Sequence, residues 1–516
     1  MVAEDNRNKI KETKIMNRLV LLISIAIAMT CTLQAQNQVD ALRYSQTTYG
    51  GTARYVAMGG AFGALGADAS TLSSNPAGIG MYRKSDLTFT PTLYNGTTTT
   101  NYNSSVNKDN KFNFNFGNAA FIITVPKAKN DGNAEWKSFS FGIAYNRQNN
   151  FHNRSFIEGN TQGSSLLSQY VTQADGVNPN DLDQFKNDLA YQTYLIDTIP
   201  GENNSYFANT NILKGTHKKS IETAGSMGET ALSFGANYNN KLYLGASIGF
   251  SKIKYEENSR YEESDNDTTK TGNYVALYKM DLTKFVVDEK ISTTGRGVDF
   301  KAGLIYSVYD WLRIGAAIHT PTFYYNMTDV YSDSITATYK HFETPDTYSP
   351  NGTTKTYSSP EGLFDYSFTA PFKAIGSLGF IIGKIGIISA DYEYVNYSQA
   401  RLNSSNDDFR EANKAIQSSY TSASNIRVGT EWRFDPFSIR AGYSFYGSPY
   451  KSGINDGSRS TYSFGVGYKM EVFYLDVAYQ LSQSKEKYYM YDAGFVNASN
   501  NKIQSGALLT TVGFKF

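Results

Sequence analysis

The sequence has 516 residues, with 48 Lys and Arg against 47 Asp and Glu, and this balance excludes a global basic field for nucleic acid. Its single cysteine excludes a disulfide framework and a cysteine metal site. Only 18% of the residues are charged, below the roughly 25% of soluble domains, whereas 14% are aromatic. With 43 glycines and 12 prolines, this composition favours a large β structure.

The first 35 residues have the order of a secretory signal. Residues 1–15 are polar and charged, and Met16 opens a short basic stretch before the apolar run 19–29. Small and polar residues follow up to Ala35, after which we expect cleavage. We then expect Met16 to be the true start, with residues 1–15 belonging to an over-extended reading frame. The alternative is a lipoprotein signal ending at Cys31, which residues 28–30 fit poorly.

Residues 36–84 precede the first predicted strand and are rich in small residues. This segment contains four closely spaced glycines, Gly59, Gly60, Gly63 and Gly66. Their spacing does not fit a nucleotide-binding loop, so we interpret them as sites of close backbone packing. A barrel of fourteen strands would leave a hole of intermediate width, which a folded segment of about fifty residues could fill. We therefore predict an N-terminal plug, or hatch, over residues 36–84.

The rest of the chain, residues 85–516, alternates between apolar and polar residues with period 2, which is typical of half-buried strands. One face of these strands is apolar and often aromatic, and the other carries Gly, Ser, Arg, Glu and Asp. The predicted strands are 85–99, 112–125, 137–149, 229–239, 241–255, 293–308, 311–325, 364–382, 385–400, 425–435, 437–447, 460–470, 472–484 and 503–516.

The connectors between these strands are alternately long and short, and the longest cover residues 150–228, 256–292 and 326–363. Outer-membrane barrels have an even strand number, short periplasmic turns and long extracellular loops. We therefore predict an all-β fold, a transmembrane antiparallel β-barrel of about fourteen strands in the cell outer membrane, with the plug segment in its lumen. A soluble β-sandwich or β-helix is the alternative, but it has no reason to obey this parity.

The last strand ends on an aromatic residue. Leu508, Thr510, Val512 and Phe514 alternate with smaller or polar residues, and Phe516 is the final residue. Outer-membrane barrels end in this way, so Phe514 and Phe516 are predicted to form the signal for the β-barrel assembly machinery.

Charged residues on three consecutive strands share the predicted luminal face. These residues are Asp391, Glu393, Arg427, Glu431, Arg433 and Arg440. Opposite charges on adjacent strands can pair, and a charge facing lipid at the membrane midplane would cost about 2–4 kcal/mol. We expect a luminal charge network, in which unpaired members could hold plug groups such as Asp68. The alternative is that the wall charges pair with one another and make no contact with the plug.

The signal, the glycine-rich segment, Ser-Asn-Pro-Ala-Gly at residues 74–78, the fourteen strands and the terminal Phe together resemble the FadL-type outer-membrane transport family. The resemblance covers residues 36–516. It implies that Asn75, Pro76 and Ala77 form a hatch motif near a third strand whose kink opens a side exit into the bilayer. The third strand here contains Gly142 but no proline.

The resemblance implies a passive transporter for long-chain fatty acids and similar hydrophobic molecules. Such a ligand would enter an apolar pocket from outside and leave laterally into the membrane, in contact with outer-membrane lipid and lipopolysaccharide. We expect a monomer without cofactor, metal site or catalytic residues, and no nucleic-acid partner. Two alternatives stay open: a surface-exposed adhesin that does not transport, and a general porin with an unplugged lumen.

Overall fold

A computed structural model describes residues 38–516 except 49, 128–134, 162, 211, 213, 267–278 and 345–346. The predicted signal peptide, residues 1–35, lies outside the described residues. Within the described part of the chain, no helix is long and apolar enough to cross a membrane.

Helices are few and short, and strands make up most of the chain. The α-helices are α1 Gln38–Ser45, α2 Ala53–Ala57, α3 Leu166–Ala174, α4 Asn187–Gln192 and α5 Arg410–Ser419. The 3-10 helices are Ala69–Ser73, Pro76–Met81, Pro179–Asp181 and Tyr397–Gln399. The strands are β1 Asp86–Tyr102, β2 Ser105–Pro126, β3 Trp136–Asn150, β4 Asn153–Asn160, β5 Ile196–Thr198, β6 Tyr206–Ala208, β7 Gly215–Tyr238, β8 Leu242–Asp265, β9 Lys279–Tyr309, β10 Leu312–His319, β11 Phe323–Thr344, β12 Thr347–Ser349, β13 Thr353–Ser358, β14 Gly362–Thr369, β15 Lys373–Ile382, β16 Gly386–Asn396, β17 Arg401–Asn403, β18 Ser422–Phe434, β19 Phe437–Tyr446, β20 Arg459–Lys469, β21 Phe473–Tyr488 and β22 Ser499–Lys515.

Fourteen antiparallel strands form a closed ring. Its members, in order, are β1, β2, β3, β7, β8, β9, β10, β15, β16, β18, β19, β20, β21 and β22. The ring closes where β1 pairs with β22, from Asp86↔Lys515 to Asn101↔Asn500. The predicted fourteen-stranded barrel is confirmed, and closure leaves the ring without an unpaired edge strand.

The wall is apolar outside and polar inside. On β18, Ile426 and Val428 are 44% and 40% exposed, whereas Arg427 and Glu431 are each 1% exposed. A slip of one residue would turn these charges toward lipid, so the alternation fixes which way each strand faces. A closed barrel with an apolar exterior and a polar interior is an outer-membrane protein.

The segments predicted as long extracellular loops contain regular structure. The described parts of residues 256–292 and 326–363 are mostly strand, whereas residues 150–228 combine strands with short helices. β7, β8, β9 and β11 continue well beyond the apolar belt and remain paired with one another. Residues 100–111, which separate the first two predicted strands, instead extend β1 and β2 to a tight turn at Asn103 and Ser104. The hydrophobic alternation ends at the membrane, but backbone pairing does not depend on it.

These extensions carry a hydrophobic core of their own, which we call the cap. Buried residues of α3 and α4 pack there against β9 and β11, with Leu167, Leu189, Phe285 and Ile335 each at most 1% exposed. Below the cap, the plug fills the lumen and contacts the strands around it, as its side chains show next.

Candidate functional site

The motif Asn75-Pro76-Ala77 joins the plug to the barrel wall. The Asn75 amide nitrogen donates to the carbonyl oxygens of Gly63 at 2.6 Å and of Leu304 on β9 at 3.3 Å. The Asn75 amide oxygen accepts from the backbone N–H of Ala77 at 3.1 Å, which caps the 3-10 helix that starts at Pro76. The motif itself is therefore bonded to the plug and to β9. The 3-10 helix that it opens also reaches the third strand, since a Cβ at Gly142 would lie 2.9 Å from the Ile79 side chain.

The four predicted plug glycines lie in tight turns or against the wall. Gly59, Gly60 and Gly66 have φ of +63°, +77° and +61°, a conformation that side chains disfavour. Gly63 has another constraint: its backbone N–H donates to the Asp391 carboxylate of β16 at 3.1 Å. A Cβ at Gly63 would lie 2.0 Å from a side-chain oxygen of β15.

The six predicted wall charges lie on the luminal side and form two clusters. In the upper cluster, Arg427 contacts Glu393 at 3.1 Å and Asp391 at 3.8 Å. In the lower cluster, Glu431 contacts Arg433 at 2.6 Å and Arg440 at 2.7 Å. Arg433 lies next to the short turn after β18, and its side chain is 48% exposed.

One ion pair between plug and wall uses Arg54, a residue that the sequence analysis did not select. The Arg54 guanidinium makes two hydrogen bonds to Glu431, at 2.7 and 3.2 Å. The expected plug partner, Asp68, instead accepts from the Thr52 hydroxyl at 2.8 Å and from the Ser70 N–H at 3.0 Å, inside the plug. Of the two alternatives for Asp68, contact with the wall network is not observed, because its carboxylate caps a 3-10 helix of the plug.

A cavity of about 350 Å³ lies on the extracellular side of the plug. Val56 of the plug and Phe151, Tyr255 and Leu509 give it apolar surface, and Asn, Ser and Thr side chains fill the spaces between them. The cavity is thus mixed in character rather than uniformly apolar, and a ligand with both a tail and a polar end would fit its lining.

Three arginines line this cavity, and two of them have unused donors. Among the described residues, neither Arg147 Nη1 nor Arg459 Nε has a hydrogen-bond partner, although both atoms are buried. The Arg459 guanidinium lies over the ring of Tyr446, 4.3 Å from its centroid. Arg43 differs because it contacts Asp40 and, at 3.9 Å, Glu257. Buried donors without partners are costly, so Arg147 and Arg459 favour an anionic group in the cavity.

The wall beside the cavity is interrupted between β2 and β3. β2 pairs with β1 up to the turn, from Asp86↔Ile122 to Tyr102↔Ser105. The described pairing of β2 with β3 begins at Pro126↔Ser138 and ends at Asn118↔Asn146. We call the gap above this point, between residues 113–117 and 147–150, the portal. Both of its sides contribute to the lining of the luminal cavity.

The portal exists because the chain after β3 turns inward. Thr98 and Thr100, luminal residues of β1, donate to the Asn153 side chain at 3.0 Å and to the Phe156 carbonyl at 2.6 Å. β4, which is paired with the outer part of β7, therefore lies against the inner face of β1. The plug takes the place of β2 at this edge, since the N–H groups of Thr48 and Gly50 donate to β3 carbonyls at 2.6 and 3.1 Å.

Side chains bridge the portal where backbone pairing is missing. Arg147 Nε donates to the carbonyl oxygen of Phe116 at 3.2 Å, and the Asn150 amide donates to Asn113 at 3.4 Å. Farther out, Lys111 of β2 contacts Glu222 of β7 at 2.8 Å. Side-chain bridges of this kind can open without unfolding a strand.

A second cavity of about 390 Å³ lies between the plug and the cap, and Arg43 lines both cavities. Burial, together with the nearby Glu289 charge, raises the pKa of Asp333 in this upper cavity to about 7. Lys219 lowers the pKa of Glu289 to about 2. The upper and luminal cavities therefore adjoin at Arg43.

The periplasmic side of the plug is strongly charged. A cavity of about 400 Å³ there is lined by the charged residues Arg54, Asp68, Asp86, Arg313, Lys384, Glu431, Arg433, Asp435, Arg440, Lys469, Asp476 and Lys515. Such a lining offers no favourable contact to a hydrocarbon tail.

No protein-family model and no curated protein matches the sequence. The structure is similar to that of a Pseudomonas aeruginosa FadL homologue, with a TM-score of 0.55 at 12% identity over 92% of this chain and 100% of the other. It is also similar to the P. putida toluene transporter TodX, with a TM-score of 0.50 at 12% identity over 90% of this chain and 99% of the other.

The chain has the FadL-type fold. In this FadL-type barrel, Phe514 faces outward and its ring centroid lies 5.6 Å from that of Phe473. Phe516 follows the end of β22, is 63% exposed, and exchanges backbone hydrogen bonds with Ser85 at 3.0 and 3.2 Å. The two terminal aromatic residues therefore lie at the seam that closes the ring.

The residues that the sequence analysis missed in this FadL-type barrel are Arg54, Arg43, Arg147 and Arg459. Nothing in their local sequence distinguishes them from other polar residues, because their roles come from long-range contacts. In the part of the chain that the structure describes, no group of three or more His, Cys, Asp or Glu side chains is placed to hold a metal ion.

Proposed function

We propose that this protein is a passive uptake channel of the outer membrane for hydrophobic small molecules, with long-chain fatty acids as its substrate class. The observation that carries the proposal is the portal, where the wall is interrupted beside a luminal cavity. The names of the two similar structures, a FadL homologue and a toluene transporter, support the general class. A plugged lumen argues against the general porin.

The exit in this proposal is lateral, through the portal into the bilayer. A hydrocarbon chain gains about 0.8 kcal/mol for each methylene group moved out of water. A hydrocarbon chain that entered the charged periplasmic cavity below the plug would lose this free-energy gain. A chain that entered the bilayer outside the portal would keep it. Diffusion down a gradient then suffices, and the plug segment at Thr48 and Gly50 has to release β3 for the portal to widen. In this scheme Asn75, Pro76 and Ala77 hold the plug against β9 while that segment moves.

The arginines of the luminal cavity favour a fatty acid over a neutral aromatic hydrocarbon. Toluene has no group that could satisfy the free donors of Arg147 and Arg459, whereas a carboxylate accepts several hydrogen bonds. In this scheme the carboxylate meets Arg459, and the tail lies against Val56, Phe151 and Leu509.

A disulfide across the portal tests lateral release. The Asn113 and Asn150 side-chain amides lie 3.4 Å apart, and oxidation of the pair Asn113→Cys/Asn150→Cys, verified by loss of free thiols, would join the two sides of the portal. The control pair is Thr124→Cys/Ser140→Cys, which joins the same two strands below the portal, where the two hydroxyl oxygens lie 3.0 Å apart. We expect the oxidised portal pair to lose oleate uptake and to regain it on reduction.

The control pair should take up oleate equally well in its oxidised and reduced forms. Unchanged uptake by the oxidised portal pair, at equal abundance in the outer membrane, would contradict lateral release. Loss of uptake in both pairs would point to a general effect of tying β2 to β3.

The headgroup assignment has its own test, the variant Arg459→Gln. Losing a hydrogen bond to a charged group costs about 1.5–3 kcal/mol, so oleate binding to the purified barrel should weaken by roughly tenfold or more. Binding of oleyl alcohol, which has the same tail and no charge, should change little. Equal weakening for both ligands would mean that Arg459 acts by shaping the cavity and not through a carboxylate.

A further inference from the structure

The lipid-facing surface of the barrel has a groove of its own, separate from the luminal cavities. It has a volume of about 730 Å³ and runs across the outside of β2, β3, β7, β8, β9 and β10. Its rim consists of large apolar side chains, such as Phe121, Phe141 and Phe300, which are 39%, 54% and 52% exposed. We call it the external groove.

Small residues form the floor of the external groove. Ala246 of β8 and Ala302 of β9 face outward and are direct partners in the sheet. On either side of this pair, the outward positions carry Phe234, Ile248 and Ile318. Lys301 also borders the groove, but its ammonium group points inward and contacts Glu229 at 2.7 Å.

The wall behind the groove lies close against the plug. Each of five consecutive strands has one glycine that faces the plug. These glycines are Gly142, Gly235, Gly245, Gly303 and Gly315. A Cβ at Gly235, Gly245 or Gly303 would lie 2.0–2.3 Å from a plug atom. The backbone of these strands therefore approaches the plug more closely than a wall with larger inward side chains could, and the groove occupies the outer surface of the same strands.

The position of the groove links it to the portal. Its upper rim on β2 and β3 is the pair Phe121↔Ile143, three pairs below the last β2–β3 pair, Asn118↔Asn146. At 3.3 Å per residue this separation is about 10 Å, toward the periplasmic end. A chain that leaves the portal thus meets the groove next, on its way to the periplasmic side of the membrane.

We propose that the external groove binds the hydrocarbon tail of a single-chain amphiphile after it has left the portal. The occupant must be hydrocarbon, because the groove lies in the apolar belt, where water is absent. The narrow floor of one alanine pair suits one chain. This inference rests on the proposed function, and it adds a second site for the same substrate class, outside the barrel.

Fluorescence quenching at a single cysteine tests the proposal. The one native cysteine is Cys31, within the predicted signal, so an introduced cysteine can be labelled alone. Bimane is attached to Ile318→Cys at the groove and, as a control, to Val428→Cys on β18, an outward position equally far from its short turn. The labelled proteins are reconstituted in phosphatidylcholine vesicles and titrated with nitroxide-labelled stearate or with nitroxide-labelled phosphatidylcholine.

We expect stearate to quench the Ile318→Cys label with a saturable component that unlabelled oleate removes. Quenching at Val428→Cys should rise linearly with the stearate content of the bilayer. Adding Ala246→Phe, which fills the floor, should remove the saturable component, whereas Ala441→Phe, at an outward alanine of β19, should leave it intact.

Equal, linear quenching at the two positions would overturn the proposal, and so would saturable quenching by the phospholipid, because a bilayer lipid would then occupy the groove. The stearate is added directly to the bilayer, so this result does not depend on transport. Saturable quenching together with intact uptake in the oxidised portal pair would refute lateral release and leave the groove as a binding site.

Discussion

Arg54 and Glu431 form an ion pair that ties a charged plug residue to the luminal charges of the barrel wall. The Glu431 side chain is 1% exposed and also contacts Arg433 and Arg440, so removing Arg54 leaves a buried carboxylate with fewer partners. We expect a double-mutant cycle of Arg54→Gln and Glu431→Gln to show a coupling free energy of about 1–3 kcal/mol in unfolding of the purified barrel.

The matched control for this cycle is the pair Asp68→Asn and Arg433→Gln. Asp68 is bonded within the plug, so its effect should add to that of Arg433→Gln within about 0.3–0.5 kcal/mol. Additivity in the Arg54 cycle, or coupling in the Asp68 cycle, would contradict the arrangement of plug and wall described above.

At the scale of elements, the fit between plug and strands depends on space at the wall glycines. A Cβ on Gly245 of β8 would lie 2.2 Å from the Pro76 carbonyl oxygen, whereas one on Gly376 of β15 would meet nothing within 4 Å. We expect Gly245→Val to lower the free energy of unfolding by about 1–3 kcal/mol through overpacking. Gly376→Val should change it little, as measured by loss of the compact electrophoretic form in urea. Equal effects of the two variants would show that the plug does not press on β8.

The cap should respond to pH through a buried pair. Its His217 ring nitrogen Nε2 lies 3.8 Å from the Glu263 carboxylate, and hydroxyls of Tyr102 and Tyr261 bond to the two residues at 2.8 Å. Burial raises the pKa of Glu263 to about 7 from 4.5 and lowers the pKa of His217 to about 4 from 6.5. Each group therefore prefers its neutral form in the folded cap.

The signs of the two contributions are opposite. As pH rises from 4.5 to about 7, the unfolded chain loses the Glu263 proton that the folded cap keeps, so stability falls. As pH falls from 6.5 to about 4, the unfolded chain gains a proton on His217 that the folded cap does not, so stability also falls.

Glu263→Gln should isolate the histidine contribution. We expect hydrogen exchange in α3 to be slower in this variant than in the parent at about pH 8, with the difference vanishing below about pH 4.5. The variant should then gain protection as pH rises to 6.5 and stay constant above it. Faster exchange in the variant at high pH would mean that the ionised carboxylate stabilises the cap, for instance by pairing with a charged His217.

For the whole molecule, Phe516 combines a place in the closing seam with an exposed aromatic side chain. We expect recognition by the assembly machinery to need the ring, so Phe516→Ala should lower barrel insertion and raise degradation, whereas Phe516→Tyr should insert normally. Heat-modifiable mobility and surface exposure measure insertion. If Phe516→Ala inserts normally while deletion of the residue does not, the backbone bonds to Ser85 are what matters. We further propose that the inserted barrel is a monomer in contact with lipopolysaccharide.

The sequence alone determined the strand number, the inward and outward faces and the luminal position of the charges. A period of two fixes the orientation of each strand, because lipid tolerates only the apolar face. A one-residue slip would turn the polar face toward lipid and the apolar face toward the lumen. Arg427 and Glu431 could therefore be assigned to the lumen from their spacing to Ile426 and Val428. The polar extensions of β7 to β9 could not be recognised, because beyond the membrane nothing enforces alternation.

Only the tertiary structure decided where the wall opens and which plug residues contact which wall residues. The portal forms because the plug at Thr48 and Gly50, and not β2, is hydrogen-bonded to this part of the edge of β3. The plug segment and these two strands are distant in the chain, so the sequence does not show which of them pairs with β3. Asp68 and Arg54 are equally suited by type to meet the wall, but the fold of the plug turns one inward and the other toward Glu431. The external groove likewise needs outward side chains of six strands to line up, and such alignment arises when the barrel closes.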